Sequence, residues 1–118
     1  IYVRMGAHTL IHKRTEDDIW KNLFELPLVE TEKDLSEEEF LACPQFHALF
    51  AEGEVRMVRT LLRGVKHVLS HRVIYTNFYE VTLPDNSSSF SSYQRVAVED
   101  LGRYAVPRLI HAFLEKYV

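Results

Sequence analysis

The sequence predicts an α+β domain: a mixed β-sheet flanked by helices, with a further helix closing the chain. Three observations predict it. The longest apolar and β-branched run, residues 65–84 (VKHVLSHRVIYTNFYEVTLP), has the composition of paired strands. A helix-start signal, Leu35-Ser36-Glu37-Glu38-Glu39-Phe40, falls between strand-like segments. Near the end of the chain Leu109, Ile110, Phe113, Leu114 and Tyr117 recur at helical spacing. A length of 118 residues suits one domain with one core, and 47% hydrophobic content argues against disorder.

Residues 1–5 and 8–14 read as two short strands. Gly6 and Ala7 fit a two-residue hairpin turn between them, because glycine accepts the positive φ such a turn needs. Polar residues 15–18 end the second strand. The next stretch, 19–30 (IWKNLFELPLVE), carries the single tryptophan. Pro27 lacks a backbone donor, so this piece is expected at an edge, a bulge or a crossing, with Trp20, Leu23, Phe24, Leu26 and Leu28 in the core. An aromatic-rich stretch could also line a nucleotide pocket, but core is the commoner outcome.

A helix is expected over 35–41. Ser36 can cap the amide of Glu39 while the Glu39 carboxylate reaches back, and Leu35 and Phe40 occupy the staple positions. Glu37 and Glu38 lie in the first turn, where the helix dipole favours negative charge. Pro44 stops or restarts the helix, and 45–51 can form a second one with Phe46, Leu49 and Phe50 inward. Residues 55–62 (VRMVRTLL) read as a strand between Gly53 and Gly64.

Residues 65–69 and 73–83 follow as two arms of a bent β-ribbon, interrupted by Ser70, His71 and Arg72. Alternation puts Val73, Tyr75, Tyr79, Val81 and Leu83 on one face and Ile74 and Phe78 on the other, so the strand is expected to be covered on both sides. Residues 84–92 (PDNSSSFSS) have the composition of a flexible loop. The sequon at Asn86 to Ser88 has no secretion signal to give it meaning. Residues 93–98 form a last strand and 99–104 a polar helical turn. Pro107 suits the first turn of the closing helix. No internal repeat is visible.

The formal net charge is −3, but the charges are segregated. Residues 30–39 hold six acids against Lys33, while 54–72 hold Arg56, Arg59, Arg63, Lys66 and Arg72 against Glu54. A dipolar surface of this kind can meet a polyanion with one face, or it can be an ordinary solvated strand face. No apolar run approaches the roughly 20 residues of a membrane span. Residues 1–4 lack the basic stretch and apolar core of a signal peptide, and the chain is expected to come from the middle or end of a longer protein. Cys43 stands alone, so neither an internal disulfide nor a four-cysteine cluster can form, which fits a reducing interior.

For catalysis the sequence offers little. It contains no glycine-rich phosphate loop and no nucleophile elbow. His67 and His71 are four apart, which on an extended strand means about 13 Å, and a metal site is not expected there. Ser70 with His71 as its base fails as a dyad, because strand neighbours point to opposite faces.

Three pieces occur in order: Trp20-Lys21-Asn22-Leu23-Phe24-Glu25-Leu26-Pro27, then Lys66-His67-Val68-Leu69-Ser70-His71, then Tyr104-Ala105-Val106-Pro107 before the final helix. Together they resemble the C-terminal domain of the A/G-specific adenine DNA glycosylases, the MutY family, over nearly the whole chain. The resemblance implies a Nudix-like α+β fold, a mixed β-sheet with flanking helices and a C-terminal helix, over 1–118 as a single domain. It implies a non-catalytic part of a base-excision-repair enzyme that reads 8-oxoguanine opposite adenine, in the bacterial cytoplasm near the nucleoid. The expected partners are double-stranded DNA carrying that mispair and the protein's own N-terminal catalytic domain, with no membrane partner. No cofactor is expected in this domain; the family's 4Fe-4S cluster and catalytic carboxylate belong to the absent catalytic domain.

The resemblance also assigns roles. Ser70 would read the lesion, since 8-oxoguanine gains an acceptor at C8 and a donor at N7, and a hydroxyl beside a peptide N–H answers both. Leu69 stands where the family often has phenylalanine. It can part base steps as an apolar wedge, without ring stacking. His71, Lys66 and Arg72 would hold phosphates. Two alternatives stand beside this: a Nudix-type hydrolase of oxidised nucleoside triphosphates, and a protein-docking module. Against the hydrolase, Leu28 and Val29 follow Pro27 where hydrolases carry glycines, and no arginine precedes the three glutamates.

Overall fold

The computed structural model describes residues 1–15 and 17–118. The strands are β1 (Tyr2–Arg4), β2 (His8–Lys13), β3 (Phe24–Glu25), β4 (Met57–Val68), β5 (Val73–Thr82) and β6 (Gln94–Ala97). The helices are α1 (Glu37–Ala42), α2 (Pro44–Leu49) and α3 (Arg108–Tyr117), with a 3₁₀ turn at Val98–Arg103. The strands form two three-stranded sheets, ordered β1-β5-β4 and β3-β2-β6. The first is mixed, because β1 runs parallel to β5 while β4 is antiparallel to it; the second is antiparallel.

The turn at Gly6 forms with φ +60°, but the expected hairpin is reduced to one bridge between Met5 and His8. Beyond that bridge β1 joins β5 and β2 joins β3 and β6, so the turn hands the chain from one sheet to the other. The expected end of the second strand at 15–18 includes Glu16, which lies outside the described residues.

Strand β5 is the central element, and it is covered on both faces at its C-terminal half. Phe78 stacks on Phe113 of α3 at 4.2 Å, nearly parallel. Its neighbour Tyr79 points the other way and stacks on Phe40 of α1 at 4.4 Å. Two apolar clusters follow from this. Val3, Met5, Leu10, Phe40, Phe46, Tyr79, Val81 and Leu83 fill the α1–α2 side. Tyr2, Ile11, Leu26, Phe78, Val96, Leu101 and Phe113 fill the α3 side.

Helix α1 starts as its sequence requires: the Ser36 hydroxyl accepts from the Glu39 amide and the Glu39 carboxylate accepts from the Ser36 amide. Cys43 separates the two short helices, and Pro44 begins α2 at a position where no amide donor is needed.

Four expectations need correction. The two strands expected at 55–62 and 65–69 are one continuous strand, Met57–Val68, because Gly64 adopts φ +66° inside a bulge instead of breaking the strand. Leu28 is 47% exposed and Trp20 only half-buried, since β3 is two residues long and the chain leaves the sheet after it. Val73 and Tyr75 share a face with Tyr79 but are exposed, because the helical layer ends before it reaches them. The serine-rich loop 84–92 is tied at its middle. The Glu54 carboxylate accepts from the Ser89 hydroxyl at 2.7 Å, the Ser87 hydroxyl at 2.8 Å and the Ser88 amide at 3.1 Å.

Two measurements check this architecture. Phe78→Ala removes a ring from the middle of the α3-side core and is expected to cost about 3–5 kcal/mol in a urea unfolding experiment. The second concerns pH. The bonds from Ser89, Ser87 and the Ser88 amide hold the Glu54 carboxyl below its ordinary range. A depressed folded value makes this contribution complete above the unfolded value, about pH 4.3, and removes it as pH falls through the folded value. Cleavage within 84–92 by an acid-active protease is therefore expected to rise below that pH. Glu54→Gln should raise cleavage already above that pH, within the protease's working range, and flatten the dependence relative to an unstructured control peptide.

Candidate nucleic-acid interface

Strands β4 and β5 make a hairpin much longer than the core that covers it. Its register contains two irregularities, between Thr60 and Leu62 and between Leu62 and Val65. Each places extra residues on β4 against β5, which bends the ribbon and increases its twist. The second bulge is held from outside. The Gly64 amide donates to Asn77 Oδ1 at 2.7 Å, and Asn77 Nδ2 donates to Asp34 Oδ1 at 2.9 Å. Arg63 closes the group, donating to the Tyr79 hydroxyl at 3.0 Å, to Asp34 at 3.1 Å and to the Leu35 carbonyl at 2.9 Å. Burial pushes the Tyr79 hydroxyl up from its usual range, with Arg63 opposing, so Tyr79 stays a neutral phenol there. The acidic segment before α1 thus clamps the root of the ribbon.

Beyond this root the ribbon projects. The Leu69 amide donates to the Arg72 carbonyl at 2.8 Å and closes the tip. Ser70, His71 and Arg72 are exposed, Leu69 is half-buried and Lys66 is exposed. All five sequence-predicted residues therefore lie on one hairpin end, with Lys66 two residues before the end of β4. Among the described residues the Ser70 hydroxyl and amide make no hydrogen bond, so the fold does not consume either. His67 is half-buried, on the opposite ribbon face from Lys66.

The five bases of 54–72 separate into two groups. Arg56 donates to the Gly53 carbonyl at 2.6 Å, Arg59 pairs with Glu80 at 3.2 Å, and Arg63 belongs to the root. Among the described residues Lys66 and Arg72 make no ion pair. The unpaired positive charge is therefore at the tip.

A second group of charges was not legible in the sequence. Glu25 bridges His12 at 2.8 Å and Arg14 at 2.7 Å, and Arg14 also meets Asp18 at 2.6 Å. Both Arg14 and Glu25 are buried. The Glu25 bond raises the Arg14 pKa further above its ordinary value. Burial works against the Asp18 carboxylate, yet Arg14, the Trp20 amide and the charge of Arg72 hold it below its usual range. These residues, with Leu28, Glu30 and Tyr93, line an open hollow of about 560 Å³. Within it His12, Arg14, Asp18 and Glu25 are paired with one another, and among the described residues no three His, Cys, Asp or Glu side chains form a group able to hold a metal ion. A glutamate between Phe24 and Leu26 was the one available hint.

The exposed ribbon face was also missed. Register pairs Lys66 with Tyr75 and Val68 with Val73. Tyr75 is 66% exposed, Val68 67% and Val73 43%. No described helix is long and apolar enough to cross a membrane.

Comparison with known families gives a match to the NUDIX domain over residues 1–116. The chain belongs to the NUDIX domain family, and its two sheets and flanking helices accord with that α+β fold. No functionally curated protein matches the sequence.

Asn77→Ala should release the Gly64 bulge while leaving both apolar clusters intact. Amide exchange across 65–76 is expected to accelerate by about tenfold, the equivalent of one net hydrogen bond. Unchanged exchange there would mean that the bulge holds itself.

Proposed function

We propose that this NUDIX-family domain is the lesion-reading part of an A/G-specific adenine DNA glycosylase in base-excision repair. It recognises 8-oxoguanine opposite adenine and is non-catalytic by itself. One observation carries the reading: Ser70 stands at an exposed, hydrogen-bond-closed tip with its hydroxyl and amide unused among the described residues. The altered edge of 8-oxoguanine offers an acceptor at C8 next to a donor at N7. The Ser70 hydroxyl can accept from N7–H while its amide donates to the C8 oxygen. Plain guanine presents an acceptor at N7 and no oxygen at C8, which leaves the serine pair mismatched.

The remaining tip residues have supporting roles in this reading. Leu69 is a short apolar wedge able to part a base step. His71, Lys66 and Arg72 contact phosphates, which positions the tip without reading sequence. Two cations at the tip reach few phosphates, so the domain binds DNA weakly on its own. The 4Fe-4S cluster of such an enzyme would belong to a separate catalytic domain, since this chain has one cysteine, Cys43, and the adenine-removing carboxylate would lie with it.

Membership of the NUDIX family favours a second reading, magnesium-dependent hydrolysis of an oxidised nucleoside triphosphate. The residues weigh less for it. Glu39 is committed to the cap of α1 and Asp34 to the ribbon root.

Ser70→Ala in the intact natural chain is expected to reduce the preference for a duplex with 8-oxoguanine over one with guanine, each opposite adenine, by about 1–3 kcal/mol. An unchanged preference would count against the recognition reading. Turnover of 8-oxo-dGTP by the chain in magnesium would move the conclusion to the hydrolase.

A further inference from the structure

The two ribbon arms pair Lys66 with Tyr75 and Val68 with Val73, side by side on one face. This face continues the one on which Tyr79, Val81 and Leu83 are buried under the α1–α2 layer. Past the end of that layer the same face is open, with Tyr75 and Val68 each about two-thirds exposed (66% and 67%). An aromatic ring and two branched aliphatic side chains held flat on a rigid ribbon lose little freedom when something covers them.

The charge around them selects the occupant. Residues 65–76 contain Lys66, His67, His71 and Arg72 and not one acid. The acids near the ribbon are engaged: Asp34 with Arg63 and Asn77, Glu80 with Arg59, and Asp18, which feels the charge of Arg72 at the tip, with Arg14. The open patch is therefore apolar at its centre and positive at its rim, complementary to a surface with apolar sugars between negative phosphates.

We propose that Tyr75, with Val68 and Val73, forms a second DNA contact that lies along the sugar–phosphate backbone of the duplex. It holds the duplex against the ribbon whichever purine stands opposite the adenine. The proposal rests on the recognition reading for the tip but assigns a different job to different residues. Tyr75 supplies lesion-independent affinity by its own contact, whereas Ser70 supplies discrimination.

The test measures binding of the intact natural chain to two labelled duplexes, one with a central 8-oxoguanine and one with guanine, each opposite adenine. Tyr75→Ala is expected to weaken both by about tenfold and leave their ratio unchanged. Tyr75→Phe should restore most of the loss, because the ring and not the hydroxyl makes the contact. Lys66→Gln should lower the salt dependence by about one counterion. Circular dichroism melting controls for folding, which an exposed ring should not disturb.

Unchanged binding of both duplexes by Tyr75→Ala would overturn the proposal and leave this face to a protein partner. A loss confined to the 8-oxoguanine duplex would also overturn it, since Tyr75 would then act in discrimination. If the unsubstituted chain shows no preference between the duplexes, the recognition reading fails on its own terms. The Tyr75 contact would still be decided by absolute affinity.

Discussion

Two adjacent rings on β5 set the geometry of the rest. Phe78 stacks on α3 from one side of the strand and Tyr79 stacks on α1 from the other. A strand gripped on both faces at consecutive residues can neither slip in register nor rotate, because a one-residue shift would exchange the two rings between cores. The grip is also local. Four residues toward the tip from Tyr79, the strand has left both helices, and Tyr75 is open to solvent. The hairpin is therefore a rigid root with an uncovered lever, and its end is the part of the fold with polar groups to spare.

The polar clamp extends that grip to the backbone. Bulges bend ribbons, and an unpaired amide inside one needs a partner. The Gly64 amide finds Asn77, Asn77 finds Asp34, and Arg63 joins Asp34 to the Tyr79 hydroxyl. This answers the charge segregation seen in the sequence. Part of the acidic run caps α1 and part neutralises the ribbon root, so its concentration of carboxylates has structural causes. The basic run is similarly divided, with three arginines engaged at or near the root and Lys66 and Arg72 at the tip making no ion pair among the described residues.

What could be read from sequence was whatever depends on neighbours in the chain. The Ser36–Glu39 capping box, the α3 stripe and the interruption at Ser70 are all local, and each is found where its residues place it. The failures have a common physical origin. Alternation tells which face Tyr75 occupies but not where the covering layer stops. Gly64 signals a special φ, and either a strand end or a bulge satisfies it; only the partner strand decides. Leu28 and Trp20 are large and apolar, yet a two-residue β3 cannot carry them into the core. Burial of Arg14 with Glu25 requires two strands in register, and nothing in either segment alone announces it.

The recognition reading sets its own condition on this architecture. Distinguishing two purines that differ at one edge is a difference between affinities, and flexibility erodes it. A tip free to re-orient could offer its hydroxyl as donor or acceptor and satisfy both bases. A hydroxyl is adaptable by nature, so its discrimination depends on a fixed position beside a backbone amide whose direction the fold sets: with that amide aimed at the C8 oxygen, the hydroxyl is left to answer N7. In this chain the amide of Ser70 is fixed through the Leu69–Arg72 bond, the ribbon ladder, the Gly64 bulge and finally the stacked pair Phe78 and Tyr79. On that reading the core of the domain is the reference frame for one N–H bond, and the apolar ribbon face beside it is where a duplex would be held still long enough to be read.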